Sequence, residues 1–283
     1  MAHQGIEGGA GKHRGHGSGE RGYEDIVVEC RDSVAWITIN REAKGNAFRT
    51  RTLHEMIDAL EGARRDADIR AVVLTGAGDR FFCIGGDHDH SDEPHDDRIH
   101  YGNVFPVVDL YDLIDKMPKP VVAMVNGFAV GGGNVLALMC DLTIASRTAT
   151  FRQVGPAMGS FDAGFGTWYL EEAVGRKKAK EIWMLNRKYP ADEALAMGLI
   201  NEVVEPAALR ARVAEVCAEL CDRGPQALAA VKSSFHARHT GVAGLSRVAL
   251  DLLTPNYYRT EESRELGESF AARRKPDRSK FYR

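Results

Sequence analysis

The chain has 283 residues, of which 44% are hydrophobic and 27% charged, and its formal net charge is −3. This composition suits a globular protein with a sizeable core, and the small negative charge argues against a nucleic-acid partner. No apolar run approaches the length of a membrane span, and the first residues lack the apolar core of a signal peptide. We therefore expect a cytoplasmic protein without a membrane partner, whose five scattered cysteines are buried free thiols.

The chain divides into three predicted segments. Residues 1–22 contain eight glycines and almost nothing apolar, so we expect a disordered tail, native or added by a vector. Residues 23–205 are predicted to form the core domain. Residues 206–283 are predicted to be mainly helical.

Strands and helices alternate through the core domain. Residues 25–30 and 33–40 are predicted as two short strands joined by a turn, and residues 52–67 carry apolar residues at helical spacing. Residues 69–78 form an almost continuous apolar run that ends in glycine, which is typical of a buried strand in a parallel sheet. The pattern of strand, glycine-rich turn and helix recurs over 118–140, and 141–146 and 199–204 are two more strands. This alternation predicts an α/β fold.

Three glycine-rich stretches stand out, namely 81–89, 131–135 and 151–166. Glycine after a strand makes a tight turn, or it lets a ligand approach backbone N–H groups closely. Two such groups that converge on one carbonyl oxygen form an oxyanion hole. The third stretch is too irregular for a helix and too rich in glycine for an ordinary strand, and its only carboxylate is Asp162.

The order of several motifs resembles the crotonase, or enoyl-CoA hydratase/isomerase, superfamily. These motifs are NAFR at 46–49, LTGAGDRFFCIGGD at 74–87, PKPVVAMVNGFAVGGG at 118–133 and CDLTIAS at 140–146. The resemblance covers residues 23–283 and implies a ClpP-like spiral of ββα units with a helical C-terminal trimerisation region. It also implies an acyl-CoA substrate whose thioester oxygen lies between the N–H groups of Gly86 and Gly132, and self-association as a trimer or hexamer.

Two departures from the family pattern bear on the reaction. Hydratases of this family carry two glutamates, and the matching positions here are Val135 and Gly155. Neither side chain can transfer a proton, so we do not expect a standard enoyl-CoA hydratase.

The third glycine-rich stretch resembles one subgroup, that of 2-ketocyclohexanecarboxyl-CoA hydrolase and 1,4-dihydroxy-2-naphthoyl-CoA synthase. The resemblance implies that Ser160, Asp162 and Tyr258 line the site, with Tyr258 from a neighbouring subunit. We predict that Asp162 is the general base or proton relay and that Ser160 orients it or the substrate ketone. The sequence of residues 153–160 resembles the ring-opening hydrolase more than the synthase. The ring-closing synthase of menaquinone biosynthesis remains the alternative, and a non-catalytic scaffold or RNA-binding protein is a third.

Further binding residues are expected around the acyl-CoA. Coenzyme A enters as part of the substrate and its phosphates need cations, for which Lys44, Arg49 and the cluster 273–275 are candidates. Many synthases of the subgroup bind bicarbonate at a Gln-Thr-Gly turn and a tryptophan. Here the turn is Gln153-Val154-Gly155, and valine lacks the hydroxyl, which weakens that expectation. The complete set of predicted binding residues is Lys44, Ala47, Arg49, Gln153, Gly155, Trp183 and Arg273.

The loop at 88–100 is rich in histidine and aspartate. We interpret it as a solvated lid over the substrate rather than as a metal site, because it is polar, charged and interrupted by Pro94. No metal and no tightly bound cofactor is expected.

Overall fold

A computed structural model describes residues 22–87, 106–162, 165–236 and 259–280. The strands are β1 (Ile26–Arg31), β2 (Val34–Ile39), β3 (Ala71–Gly76), β4 (Phe81–Cys83), β5 (Val121–Val125), β6 (Phe128–Val130), β7 (Leu142–Ser146), β8 (Thr150–Arg152), β9 (Lys188–Pro190) and β10 (Glu202–Val204). The helices are α1 (Thr50–Arg65), α2 (Val107–Lys116), α3 (Gly132–Met139), α4 (Gly155–Met158), α5 (Phe165–Val174), α6 (Arg176–Leu185), α7 (Ala191–Ala196), α8 (Leu209–Cys221), α9 (Pro225–His236) and α10 (Glu261–Ala271).

The larger sheet has the strand order β1-β2-β3-β5-β7-β10. β1 and β2 form the predicted antiparallel hairpin, and the strands from β2 to β10 pair in parallel. All six residues of β3 are buried, which confirms that the apolar run at 69–78 contains a strand covered on both faces. Parallel pairing brings the carboxyl ends of β3 and β5 to the same edge.

Side chains that alternate along β2 divide the core into two layers. Val34 and Trp36 pack with Val213 of α8 on one face of the sheet. Ile37 and Ile39 point the other way, into the main core with α1. Helix α1 contributes Leu53, Met56 and Leu60, none of which is exposed, at the spacing that the sequence predicts.

A second sheet, of strand order β4-β6-β8-β9, was not predicted from the sequence. Each of its strands has three residues, which is too short for a period to be recognised. The expectation that residues 151–166 form neither helix nor strand is wrong at several places. Phe151 and Arg152 belong to β8, the residues of α4 make one helical turn, and α5 begins at Phe165.

The predicted C-terminal segment is helical wherever the structure describes it at length, in α8, α9 and α10. The boundary between the core domain and this segment stays a prediction. Within the described residues, no helix is long and apolar enough to cross a membrane.

Candidate active site

The two predicted oxyanion glycines lie on adjacent loops. Gly86 follows β4, and Gly132 is the first residue of α3. A methyl group built at Gly132 lies 2.7 Å from Cζ of Phe48 and 3.5 Å from Cα of Gly85. A methyl group built at Gly86 lies 3.8 Å from Cε2 of the same Phe48 ring. The structure therefore brings both glycines against one buried aromatic ring.

The backbone N–H groups of these glycines are free to donate. Phe48 pairs in parallel with Gly86, through bonds from the Phe48 N–H to the Gly85 carbonyl (2.9 Å) and from the Asp87 N–H to the Phe48 carbonyl (2.8 Å). The N–H of Gly86 itself therefore points away from Phe48. The N–H of Gly132 is one of the first in a helix, which have no acceptor within the helix. Neither N–H has an acceptor among the residues that the structure describes.

An ion pair holds the first glycine loop in place. Nη2 of Arg41 lies 2.8 Å from Oδ2 of Asp87, and both side chains are less than a tenth exposed. Arg41 also donates to the carbonyl of Ala47. Arg41 was not predicted from the sequence, because an arginine beside a turn belongs to no motif that would mark it as part of the site.

A buried phenol holds the second loop. Oη of Tyr111, on α2, donates to the carbonyl oxygen of Gly132 at 3.0 Å, and the residue is only 6% exposed. Burial raises the pKa of Tyr111 well above 10, with smaller contributions from Cys83 and Asp162, so the phenol is a neutral donor. The N–H of Val135 donates to the Gly131 carbonyl at 3.1 Å. Both peptide groups that flank Gly132 are thus hydrogen-bonded. The role of Tyr111 was not predicted, because no local motif in the sequence marks it.

Burial also determines the state of the thiol beside this loop. Cys83 is fully buried, which raises the pKa of its thiol to about 12, and its Sγ accepts the Gly85 N–H at 3.4 Å. It stays protonated at neutral pH. All five cysteines are free thiols, as predicted, but the expectation that they are buried holds only for Cys83, Cys140 and Cys217, since Cys30 is exposed and Cys221 half-buried.

Asp162 sits at the start of α5 and close to α3. Its Oδ1 accepts the Gly166 N–H at 3.0 Å, and its Oδ2 accepts the Thr167 N–H at 2.8 Å. A methyl group built at Gly166 meets Oδ1 of Asp162 at 2.7 Å, Cγ2 of Val135 at 2.7 Å and Cζ2 of Trp183 at 2.9 Å. The carboxylate therefore lies beside Val135, one helical turn from Gly132.

The turn at 153–155 lies next to the same tryptophan. A methyl group built at Gly155 lies 3.5 Å from Cζ3 of Trp183, and the Ser160 N–H donates to the Gly155 carbonyl at 2.8 Å. The side chain of Gln153 is fully buried, and neither its amide oxygen nor its nitrogen has a hydrogen-bond partner among the residues that the structure describes. Nε1 of Trp183 donates to the Gly166 carbonyl at 3.2 Å. Gly155 thus lies close to Ser160 and to the ring of Trp183. The same ring and the Asp162 carboxylate both lie beside Gly166.

A cavity of about 590 Å³ opens in front of Gly86 and takes in two of the predicted binding residues, Lys44 and Ala47. Arg80, Phe81 and Ile84 also line it. Its lining thus combines the cations of Lys44 and Arg80 with apolar side chains and with the carboxylates of Glu42 and Asp87.

Other predicted binding residues lie elsewhere. The guanidinium of Arg49 donates two hydrogen bonds to the carboxylate of Asp25, from Nε at 2.7 Å and from Nη2 at 2.9 Å. This pair links Arg49 to the rest of the fold rather than to the cavity. Arg273 follows α10 and does not line the cavity. Tyr258 and the loop at 88–100 lie outside the described residues. Among the residues that are described, no cluster of histidine, cysteine or carboxylate side chains could hold a metal ion.

Comparison with known proteins gives a consistent result. The family model described as enoyl-CoA hydratase/isomerase matches residues 29–280. The chain is similar to a carnitinyl-CoA hydratase from Mycobacterium avium, with 32% identity, a TM-score of 0.75, and coverage of 89% of this chain and 97% of that one. It is similar to an enoyl-CoA hydratase from Mycobacterium avium subsp. paratuberculosis K-10, with 30% identity, a TM-score of 0.76, and coverage of 86% and 98%.

A third similar structure is a methylmalonyl-CoA decarboxylase in complex with 2-nitronate-propionyl-CoA. Its identity is 25%, its TM-score is 0.77, and the match covers 90% of this chain and 98% of that one. These matches confirm the predicted crotonase fold.

Proposed function

Because the chain belongs to the enoyl-CoA hydratase/isomerase, or crotonase, family, we propose that this acyl-CoA enzyme opens the ring of a cyclic β-ketoacyl-CoA by hydrolysis. The observation that carries the proposal is the position of Asp162. Its carboxylate lies beside Val135, close to the loop of Gly132, whose free N–H can bind a thioester oxygen. The site thus combines a base with an oxyanion hole, and it has no carboxylate at the two hydratase positions.

Val135 and Gly155 bear on the hydration reactions named for two of the similar structures. A hydratase has to move a proton from water to carbon, and neither of these residues has an ionisable group. Gly155 lies against the ring of Trp183, and Val135 and the same ring both lie beside Gly166, so apolar groups surround the two positions that carry glutamates in hydratases. The name of the third similar structure, a decarboxylase, is that of an enzyme that breaks a carbon–carbon bond, as ring opening does.

The geometry suits ring opening in two steps. In the first, Asp162 takes a proton from water while the water oxygen bonds to the ring ketone carbon and the π electron pair of that carbonyl moves onto the ketone oxygen. In the second, the adduct collapses and the bond between that carbon and Cα breaks. The electron pair moves to Cα and onto the thioester oxygen, where the N–H groups of Gly86 and Gly132 stabilise the charge. Asp162 then returns the proton to Cα, and the ketone carbon ends as a carboxylic acid.

The ring-closing synthase passes through the same thioester enolate and is the second candidate. The buried, unpartnered amide of Gln153 favours it, since a small polar group could bind there. Bicarbonate does not fit well, however. Val154 has no hydroxyl, and the indole N–H of Trp183 is already bonded to the Gly166 carbonyl. We therefore assign no step to bicarbonate.

One assay separates these candidates. The protein is incubated with 2-ketocyclohexanecarboxyl-CoA and, separately, with succinylbenzoyl-CoA, and the products are identified by mass spectrometry. We expect pimeloyl-CoA from the first substrate, and Asp162→Asn should lower its rate of formation by about 10²–10⁴-fold. Dihydroxynaphthoyl-CoA from the second substrate would establish the synthase instead. If neither thioester reacts while the folded protein binds coenzyme A, the ring substrate is wrong.

A further inference from the structure

Helix α10 packs against the end of α4. A methyl group built at Gly159 meets the carbonyl oxygen of Ser263 at 2.3 Å and its Cα at 3.0 Å. Gly159 has φ 75° and ψ 33°, the left-handed conformation that commonly ends a helix. One turn further along α10, a methyl group built at Gly267 lies 3.7 Å from the Met158 carbonyl oxygen. The backbone of α10 thus lies directly against the residue that precedes Ser160.

The peptide group that joins Gly159 to Ser160 is held at both of its ends. Oγ of Ser263 donates to the Gly159 carbonyl oxygen at 2.7 Å, and this contact is buried. The N–H of Ser160 donates to the Gly155 carbonyl at 2.8 Å. The first bond comes from α10 and the second from α4. Because a peptide group is planar, the two bonds together fix its orientation.

Asp162 follows this peptide group by two residues. Its carboxylate accepts the N–H groups of Gly166 and Thr167, at 3.0 and 2.8 Å. The chain from Ser160 to Asp162 therefore runs between two fixed points, one set by α10 and the other by α5. A rotation of the first peptide plane would change where the chain enters Asp162, and with it the position of the carboxylate.

Helix α10 is itself held in place. At its first turn, Oγ1 of Thr260 accepts the Ser263 N–H at 3.1 Å and caps the helix. In its middle, the carboxylate of Glu265, a residue that is 1% exposed, accepts hydrogen bonds from Arg274 and from Nζ of Lys280, the latter at 2.7 Å. The chain that follows α10 thus folds back onto the helix, so a well-anchored element presents the Ser263 hydroxyl.

We propose that Ser263 is a positioning residue of the reaction, which acts through the Gly159 carbonyl to hold the segment that carries Ser160 and Asp162. This inference rests on the proposed function, in which Asp162 is the base. The hydroxyl of Ser263 is bonded to the peptide group and not to the substrate. Its loss should therefore slow the reaction and leave substrate binding nearly unchanged.

The test compares Ser263→Ala with the control Ser269→Ala. Ser269 lies on the same helix and is 2% exposed, but its Oγ donates at 3.1 Å to the Leu266 carbonyl, within α10 itself. With the cyclic β-ketoacyl-CoA as substrate, Ser263→Ala should lower kcat about tenfold and keep KM within about twofold of the wild type. The control should match the wild type, and circular dichroism should show that both variants fold.

A second measurement needs no substrate. Hydrogen exchange followed by mass spectrometry reports the opening of the bond from the Ser160 N–H to the Gly155 carbonyl. Exchange in the fragments that contain Ser160 should be about tenfold faster in Ser263→Ala than in the wild type, and unchanged in Ser269→Ala. Exchange that is no faster in Ser263→Ala overturns the inference, whatever the substrate.

Ser263→Ala is finally combined with Asp162→Asn. If Ser263 acts through Asp162, the double variant should be at most about twofold slower than Asp162→Asn alone. A further loss of about tenfold overturns the inference, as does a wild-type kcat in Ser263→Ala. Wild-type protein that does not open the ring contradicts the proposed function, and hydrogen exchange then decides by itself whether Ser263 holds the segment.

Discussion

At the scale of single residues, Asp162 has two tasks that can be separated. Its oxygens hold the N–H groups of Gly166 and Thr167, and the proposed reaction needs it as a base. Asp162→Asn should lower turnover by about 10²–10⁴-fold, the usual loss for an acid–base group. Asparagine keeps one acceptor oxygen, so we expect the free energy of unfolding to fall by only about 1 kcal/mol.

Steady-state kinetics and urea unfolding measure the two effects. Asp66→Asn is the matched control, because Oδ1 of Asp66 also accepts a backbone N–H, that of Asp68, at the end of α1. The control should keep full turnover. If the Asp162→Asn enzyme is as active as the control, Asp162 is not the base of the reaction.

Tyr111 is a positioning residue in this account. Tyr111→Phe keeps the edge-on contact with the Phe165 ring, whose centroid lies 5.8 Å away, but it removes the hydrogen bond to the Gly132 carbonyl. We expect kcat to fall about tenfold with KM nearly unchanged, because a small displacement of the oxyanion hole affects the transition state more than the bound substrate.

Tyr169→Phe is the control for Tyr111. Its ring stacks on Phe165 at 5.8 Å, and its hydroxyl donates to Oδ2 of Asp115 at 3.0 Å. We expect it to cost about 1 kcal/mol of stability without lowering kcat. Equal kcat values for both variants and the wild type would mean that the Tyr111 bond is only structural.

At the scale of elements, Asp25 joins the start of β1 to the start of α1. The residue is 3% exposed, and its carboxylate accepts hydrogen bonds from Arg49 and from Oγ1 of Thr52 at 2.6 Å. Burial alone would raise its pKa, but these bonds and the charges of Arg49 and Arg41 outweigh burial and hold the pKa below 3.8. A carboxyl group whose pKa is lower in the folded protein stabilises the fold at any pH above its pKa in the unfolded chain. This contribution is lost as the pH falls through its pKa in the folded protein.

Asp25→Asn should therefore lower the free energy of unfolding by about 2 kcal/mol at pH 7. The difference from the wild type should shrink as the pH drops below about 4. Urea unfolding between pH 3 and pH 7 measures it. A difference that does not change with pH would show that the charge of Asp25 contributes nothing.

The elements also show what the sequence could predict. β1, β2, β3, α1 and β5 have lengths and periods that a single sequence reveals, and all of them are found where they were expected. The glycine loops were recognised because their motifs are local and specific. Phe48, Arg41 and Tyr111 were not assigned roles, since each one acts through a contact with a residue distant in the chain. The smaller sheet consists of three-residue strands, which are too short to show a period in the sequence.

At the scale of the whole molecule, self-association remains a prediction. α5 and α6 expose large apolar side chains, with Trp168 45% exposed, Met184 68% and Leu185 55%. Such side chains on neighbouring helices are typical of an interface. We expect a hexamer, and light scattering should give six times the mass of one chain. Met184→Glu together with Leu185→Glu should lower that mass if this patch lies in the interface. A stable, active monomer would refute the prediction.

The proposed mechanism requires the backbone N–H groups of Gly86 and Gly132 to bind the thioester oxygen. The two glycines differ in the room around them. A methyl group at Gly132 meets the Phe48 ring at 2.7 Å, whereas at Gly86 the nearest described atom is 3.8 Å away. Alanine at Gly132 therefore has to displace the ring or the loop, while alanine at Gly86 leaves both N–H groups in place.

The most direct test is the turnover of Gly132→Ala and Gly86→Ala with the same acyl-CoA, alongside circular dichroism to confirm that both variants fold. Gly132→Ala should lose about 10²–10³-fold in kcat, the usual loss for one oxyanion donor. Gly86→Ala should stay within about threefold of the wild type, since its donor is kept. A folded Gly132→Ala enzyme with wild-type turnover would contradict the oxyanion hole assigned to these two glycines.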